Sequence, residues 1–132
     1  MQDVLKVSAG VIRDEKGRVL LCQRGYGAQA GQWEFPGGKC EEGESYADCL
    51  VREIDEELGV RIKVEKELLR MRYAYPDKTI DFAFLQAVIV GGEMQVREHK
   101  AVRWLHMDEI GEKELCPADA EAFVRMKAVL LD

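Results

Sequence analysis

Little in this chain points to export, a membrane or a nucleic-acid partner. No apolar run is long enough to span a bilayer, and the opening Met1-Gln2-Asp3-Val4-Leu5-Lys6-Val7 lacks a signal-peptide core. Basic residues are in deficit. Lys and Arg number 19 against 25 Asp and Glu, a net charge of −6, which is the wrong sign for gripping a nucleic-acid backbone. Cysteine is sparse: Cys22, Cys40, Cys49 and Cys116 show no C-x-x-C spacing and no nearby histidine pair. That excludes a zinc site or disulfide framework and predicts reduced thiols in a cytoplasmic protein. Histidine is scarcer still. His99 and His106 have neither a nucleophile nor a second ligand beside them, so both read as surface or half-buried residues. No serine or cysteine has a recognisable base, so covalent catalysis is unsupported. With no linker, repeat or low-complexity tract, residues 1–132 read as a single domain. The balance favours a small-molecule site in a monomer or homodimer, with no nucleic acid and no membrane.

What the chain does have is acid in one place. Gly38-Lys39-Cys40-Glu41-Glu42-Gly43-Glu44 is followed by Arg52-Glu53-Ile54-Asp55-Glu56-Glu57-Leu58-Gly59-Val60, the pattern G-x5-E-x7-R-E-I-x-E-E-x-G-V. On a helix, Glu53, Glu56 and Glu57 stand at i, i+3 and i+4 and share one side. Ala47, Val51, Ile54 and Leu58 are expected on another stripe, turned well away, so the helix buries one face and holds its acids toward a cleft. Ser45 with Asp48 reads as a capping box and Gly59 as a left-handed stop. Three close carboxylates repel unless a counter-charge meets them. Oxygen-only ligands suit Mg²⁺, with Mn²⁺ as a substitute, ions that keep waters and share their shell with substrate phosphates. An isolated E-x-x-E-E is more often a solvated face; nine fixed positions between Gly38 and Val60 argue against that here.

The block resembles the Nudix hydrolase signature with no departure at a fixed position. Trp33-Glu34-Phe35-Pro36-Gly37-Gly38-Lys39 resembles the lead-in of the family's MutT-like branch, which hydrolyses nucleoside triphosphates. The resemblance implies an α/β Nudix fold, a mixed β-sheet sandwiched between helices. It also implies hydrolysis of a nucleoside triphosphate to monophosphate and pyrophosphate. Glu53, Glu56 and Glu57 then hold metal, with Glu53 also able to orient the attacking water. Arg52 stays protonated and holds a carboxylate in place at the catalytic centre. Glu44 locks loop to helix. Gly37 and Gly38 permit positive φ and bring backbone close to phosphate or metal, Gly37 as a backbone ligand. By position, Glu98 resembles the glutamate that family members supply from a loop opposite the acidic helix, as ligand or general base.

Leu115-Cys116-Pro117-Ala118-Asp119 resembles the P-A-D of the family's pyrimidine-preferring pyrophosphohydrolases; the oxidised-guanine branch often has Asn there. An ionised Asp119 only accepts hydrogen bonds, so it selects an exocyclic amino group, as on cytosine; a protonated acid leaves an oxidised guanine open. The competing reading is an acid that simply complements a helix dipole. Phe35 could stack on a base, Arg24 and Lys39 could reach phosphate, and Tyr73, Tyr75 and Asp77 could line a base pocket. The favoured substrate is CTP, dCTP or a modified pyrimidine nucleotide. The alternatives are 8-oxo-dGTP, ADP-ribose or a nucleotide sugar, and, least favoured, a non-catalytic nucleotide-binding module.

Patterning predicts strands over Val4 to Ile12, Arg18 to Arg24, from Arg61 onward, Ile80 to Val90 and Val102 to Leu105. Trp33 to Phe35 reads as a short extended piece before Pro36. The glycine-bearing stretch Gly25 to Gln32 reads as a loop able to move over substrate. Turns are expected at Asp14 to Gly17, Asp77-Lys78 and Gly91-Gly92, with a short helical turn at Met107 to Ile110. A terminal helix runs from Pro117 to Leu131, its apolar residues Phe123, Met126, Val129 and Leu130. The aromatic and apolar residues around Tyr73 to Leu85 fit either a core or a dimer face.

Overall fold

A computed structural model describes residues 4–130 of the chain. The strands are β1 (Val4–Ile12), β2 (Val19–Gln23), β3 (Trp33–Glu34), β4 (Gly37–Lys39), β5 (Val60–Tyr75), β6 (Lys78–Gly92) and β7 (Ala101–Leu105). Helix α1 is Tyr46–Leu58 and α2 is Pro117–Leu130, with 3₁₀ turns at Met107–Glu109 and Glu112–Glu114. The expected last residue of the terminal helix, Leu131, lies outside the described residues.

Two sheets form. The larger runs β4-β1-β6-β5, with β1 parallel to β6 and the other neighbours antiparallel. The smaller is antiparallel β3-β2-β7. Period-two alternation splits each central strand between two cores. Ala9 and Val11 of β1 join Phe82 and Phe84 of β6 beneath α2, with Ala122, Phe123 and Met126. Ile12 joins Ala83, Leu85 and Ala87 beneath α1, with Leu50, Ile54 and Leu58. The small residues facing α1 let it lie close: a side chain at Gly10 would press on Leu50. Ile80 and Phe82 to Leu85 are therefore core. Among the described residues no helix is long and apolar enough to cross a membrane, and the four cysteines are free thiols.

Four local expectations need correction. Gly37-Gly38-Lys39 is a strand, paired to Ala9, Ser8 and Val7, and neither glycine has positive φ. What glycine supplies there is room. A side chain at Gly37 would strike the Ser8 carbonyl carbon (2.8 Å) and Ala9 Cα (2.9 Å), and one at Gly38 would land on the Glu53 carboxylate, 2.7 Å from Oε1. Gly91 and Gly92 still belong to β6, opposite Arg61 and Val60, and the β5–β6 turn is Pro76-Asp77. On α1 the buried residues are Cys49, Leu50, Ile54 and Leu58, while Val51 is exposed. The buried face is thus rotated toward Leu50, which puts Glu53 and Glu57 on its flank rather than opposite it. At the end of α2, Val129 is exposed.

Candidate active site

Helix α1 is held at both ends. Ser45 Oγ accepts from Asp48 N–H at 3.0 Å, and Gly59, at φ 70°, donates to the Asp55 carbonyl at 3.0 Å. Arg52 organises the middle. Its Nε and Nη2 grip both oxygens of Glu44 at 2.8 and 2.9 Å, and Nη2 also reaches the Lys39 carbonyl at 2.9 Å. Its Nη1 donates to Glu53 at 3.0 Å and Glu56 at 3.3 Å. Glu44 closes the loop by accepting from Glu41 N–H at 2.9 Å, and the Arg52 guanidinium holds its pKa down to about 2. The loop and two of the three helix glutamates are thus fixed by one cation.

The third glutamate has no such partner. Glu57 Oε2 is buried without a hydrogen bond. Burial first, then the charges of Glu53, Glu34 and Glu98, push the Glu57 carboxyl up to about 8. Glu98 reaches this place because its loop is tied to the end of α1. Gln95 N–H donates to the Leu58 carbonyl at 2.7 Å, and Arg97 Nη1 donates to the Asp55 and Glu56 carbonyls at 3.2 and 3.0 Å, satisfying carbonyls at a helix end.

These oxygens fit a hard divalent cation, and an orphaned buried carboxylate oxygen is what such an ion would satisfy. No group of three or more His, Cys, Asp or Glu that could hold a metal ion assembles among the described residues. Glu56 is 58 % exposed and drawn aside by Arg52, so the three glutamates do not converge as helix spacing suggests. The set suits an ion that keeps waters and completes its shell with phosphate.

Glu57 and Glu98 border a cleft of about 490 Å³ that also takes in Gly37, Gly38 and Lys39. Phe35, Tyr75, Asp77 and Asp119 line it as well. Asp119 arrives there because Cys116 N–H bonds the Trp33 carbonyl at 2.8 Å, docking the start of α2 beside β3. Asp119 is 7 % exposed and Oδ1 accepts from Phe35 N–H at 3.0 Å. Burial, then the charge of Glu34, pushes its carboxyl up to about 8. That burial favours the protonated form, the alternative to an ionised, acceptor-only group, and a protonated carboxyl can donate as well as accept.

The remaining expected contacts divide. Arg24 and Asp77 line the cleft. Phe35 does too, but only 3 % of it is exposed and it packs edge-on against Phe84, which leaves little ring face for a base. Tyr73 packs on Tyr75, ring centroids 4.8 Å apart, while Tyr75 is the one at the cleft. His106 is exposed and its N–H bonds Glu109 at 2.8 Å. His99 lines the cleft, with its Nε2 3.0 Å from Glu34. Sequence reasoning gave Glu34 no role of its own; its one signal was a place in the Trp33–Lys39 lead-in.

The model of the family described as NUDIX domain matches residues 4–126. The chain is 35 % identical over 129 residues to the CTP pyrophosphohydrolase of Escherichia coli, covering 95 % of each. It is also 35 % identical over 125 residues to the 8-oxo-dGTP diphosphatase of Haemophilus influenzae, covering 93 % of this chain and 91 % of that one. Among solved structures, the solution structure of the E. coli ORF135 protein superposes with a TM-score of 0.80 at 32 % identity, covering 97 % of this chain and 94 % of the other.

Proposed function

The chain belongs to the NUDIX family of hydrolases, and from that premise we propose that its single domain is a Mg²⁺-dependent nucleoside triphosphate pyrophosphohydrolase. The observation that carries this reading is one cleft lined both by Glu57 and Glu98 and by Asp119, whose carboxyl holds the Phe35 N–H. That arrangement suits a phosphate chain and a base joined by a sugar. Mg²⁺ held among Glu53, Glu57 and Glu98, with Glu56 and the Gly37 backbone as further oxygens, would neutralise the phosphates and acidify a water. Arg52 positions Glu53 and anchors the loop before α1. Arg24 and Lys39 supply positive charge to phosphate oxygens, and either Glu53 or Glu98 accepts the proton of the attacking water. A P–O bond forms to that water as the bridging P–O bond breaks, leaving monophosphate and pyrophosphate.

For the base, Pro117-Ala118-Asp119 and the likeness to a CTP pyrophosphohydrolase support cytosine nucleotides. A second reading, 8-oxo-dGTP, draws on an equally similar relative and on the proton that Asp119 holds near neutrality, which can be donated to a purine carbonyl. The test is turnover with Mg²⁺ of CTP, dCTP, UTP, dTTP, ATP, dGTP, 8-oxo-dGTP and ADP-ribose, products read by chromatography. Leading cytosine nucleotides, with a ranking that Asp119→Asn shifts, uphold the first reading. 8-oxo-dGTP ahead by orders of magnitude in kcat/KM replaces it with the second, and no turnover of any triphosphate defeats both.

A further inference from the structure

Three segments meet in the cleft through one carboxylate. Glu34 on β3 accepts from Arg24 Nη1 through Oε1 at 2.9 Å, and its Oε2 lies 3.0 Å from His99 Nε2. The His99 side chain is only 8 % exposed, yet its Nδ1 has no hydrogen-bond partner, and Arg24 Nε is buried and unpartnered too. Both residues line the cleft. A buried polar atom left unpaired is costly, and a ligand atom of the right kind recovers that cost.

Chemistry decides what that atom is. A carboxylate only accepts, so the proton between Glu34 and His99 sits on Nε2. Nδ1 is then the ring nitrogen left to meet a ligand. A sugar hydroxyl, which both donates and accepts, satisfies it whichever role Nδ1 takes. Arg24 Nε–H needs an acceptor, such as a phosphate oxygen. Glu34, Arg24 and His99 line the same cleft as Asp119, Glu57 and Lys39, so a nucleotide held there brings its sugar and phosphates into reach of the triad.

We infer that His99, oriented by Glu34, is the residue that reads the sugar, its Nδ1 sharing a hydrogen bond with a ribose or deoxyribose hydroxyl of the nucleotide. The inference rests on the nucleotide reading above. The test is kcat/KM for CTP, dCTP and dideoxy-CTP, and for the matching guanosine series, in wild type, His99→Ala and Glu34→Gln. Wild type should lose about 3–10-fold when the contacted hydroxyl is removed, as for one hydrogen bond of about 0.5–1.5 kcal/mol. His99→Ala should lose a similar factor on hydroxylated substrates and no longer distinguish them from the deoxy forms. Glu34→Gln, which perturbs the fold less, should also blunt the preference because the tautomer is no longer fixed. A purely structural role for His99 would lower all substrates together and leave the ratios standing, which overturns the inference. So would a wild type indifferent to sugar hydroxyls, or a His99→Ala loss that follows phosphate number instead. Turnover without sugar discrimination defeats only this inference; a wild type that hydrolyses no nucleotide defeats the functional reading beneath it.

Discussion

Two residues show how much rests on single atoms. Asp119 is a buried carboxyl that accepts from the Phe35 backbone N–H, with its pKa pushed up by burial to about 8 from 3.8. The folded protein therefore binds more protons there than the unfolded chain across that interval. Its contribution to stability is complete below pH 3.8 and is lost as pH rises toward 8. Asp119→Asn keeps an acceptor for Phe35 N–H and removes the titration. Its stability relative to wild type should rise between pH 5 and pH 9 by on the order of 4 kcal/mol, measured by urea denaturation at each pH; a constant difference would mean the carboxyl stays ionised in the fold. Gly38 is the second case. The Glu53 carboxylate occupies the space a side chain would need, so Gly38→Ala should displace Glu53 and cut kcat by about 100-fold, the scale of a misplacement near 1 Å. A variant that keeps its circular dichroism and full kcat would show that Glu53 has no fixed place in turnover.

At the scale of elements, α1 and the loop before β7 act as a unit. Arg97 bonds the last carbonyls of the helix, and the next residue is Glu98. Arg97→Ala should speed amide exchange across 93–100 and lower kcat by about 10-fold, if Glu98 is misplaced by a fraction of an ångström, while leaving exchange in β6 unchanged. Equal exchange in variant and wild type would mean that backbone bonds such as Gln95 to Leu58 suffice. The elements most legible in the sequence were those that carry their own signal. The strands β1, β2 and β7 alternate or run apolar between turn residues, and α1 has Ser45 and Gly59 as its stops. Strand β4 was illegible because Gly-Gly-Lys has no strand preference; only β1, some thirty positions earlier, makes it one. The facing of α1 was misjudged by a fraction of a turn, because Val51 and Leu50 are equally apolar and only tertiary packing chooses between them. Likewise the Glu34–His99 pair joins residues 65 positions apart, and no local pattern announces such a contact.

At the scale of the molecule, a chain of net charge −6 brings Glu34, Glu57 and Glu98 to one cleft, with Glu53 close to Glu57; Arg52 pairs with Glu53 and Arg24 with Glu34. Mg²⁺ that binds the fold and not the unfolded chain should raise the melting temperature, with about 2.7 kcal/mol of stabilisation at a hundredfold excess over Kd, and chelation should reverse it. A melting temperature blind to Mg²⁺ at millimolar concentration would separate the acids from any metal role. The parallel β1–β6 register carries a different consequence, one of timing. Val4 meets Thr79 and Ile12 meets Ala87, each partner 75 positions later. On a ribosome adding about 5–20 residues per second, β1 emerges roughly 4–15 s before the strand that completes it. In that interval only the short β4 can cover one of its edges, and the apolar flank of Val11 and Ile12 lies open to other chains and to chaperones. Synonymous changes that slow elongation between β4 and β6 would lengthen that exposure, and lower the yield of a protein whose finished form they leave untouched.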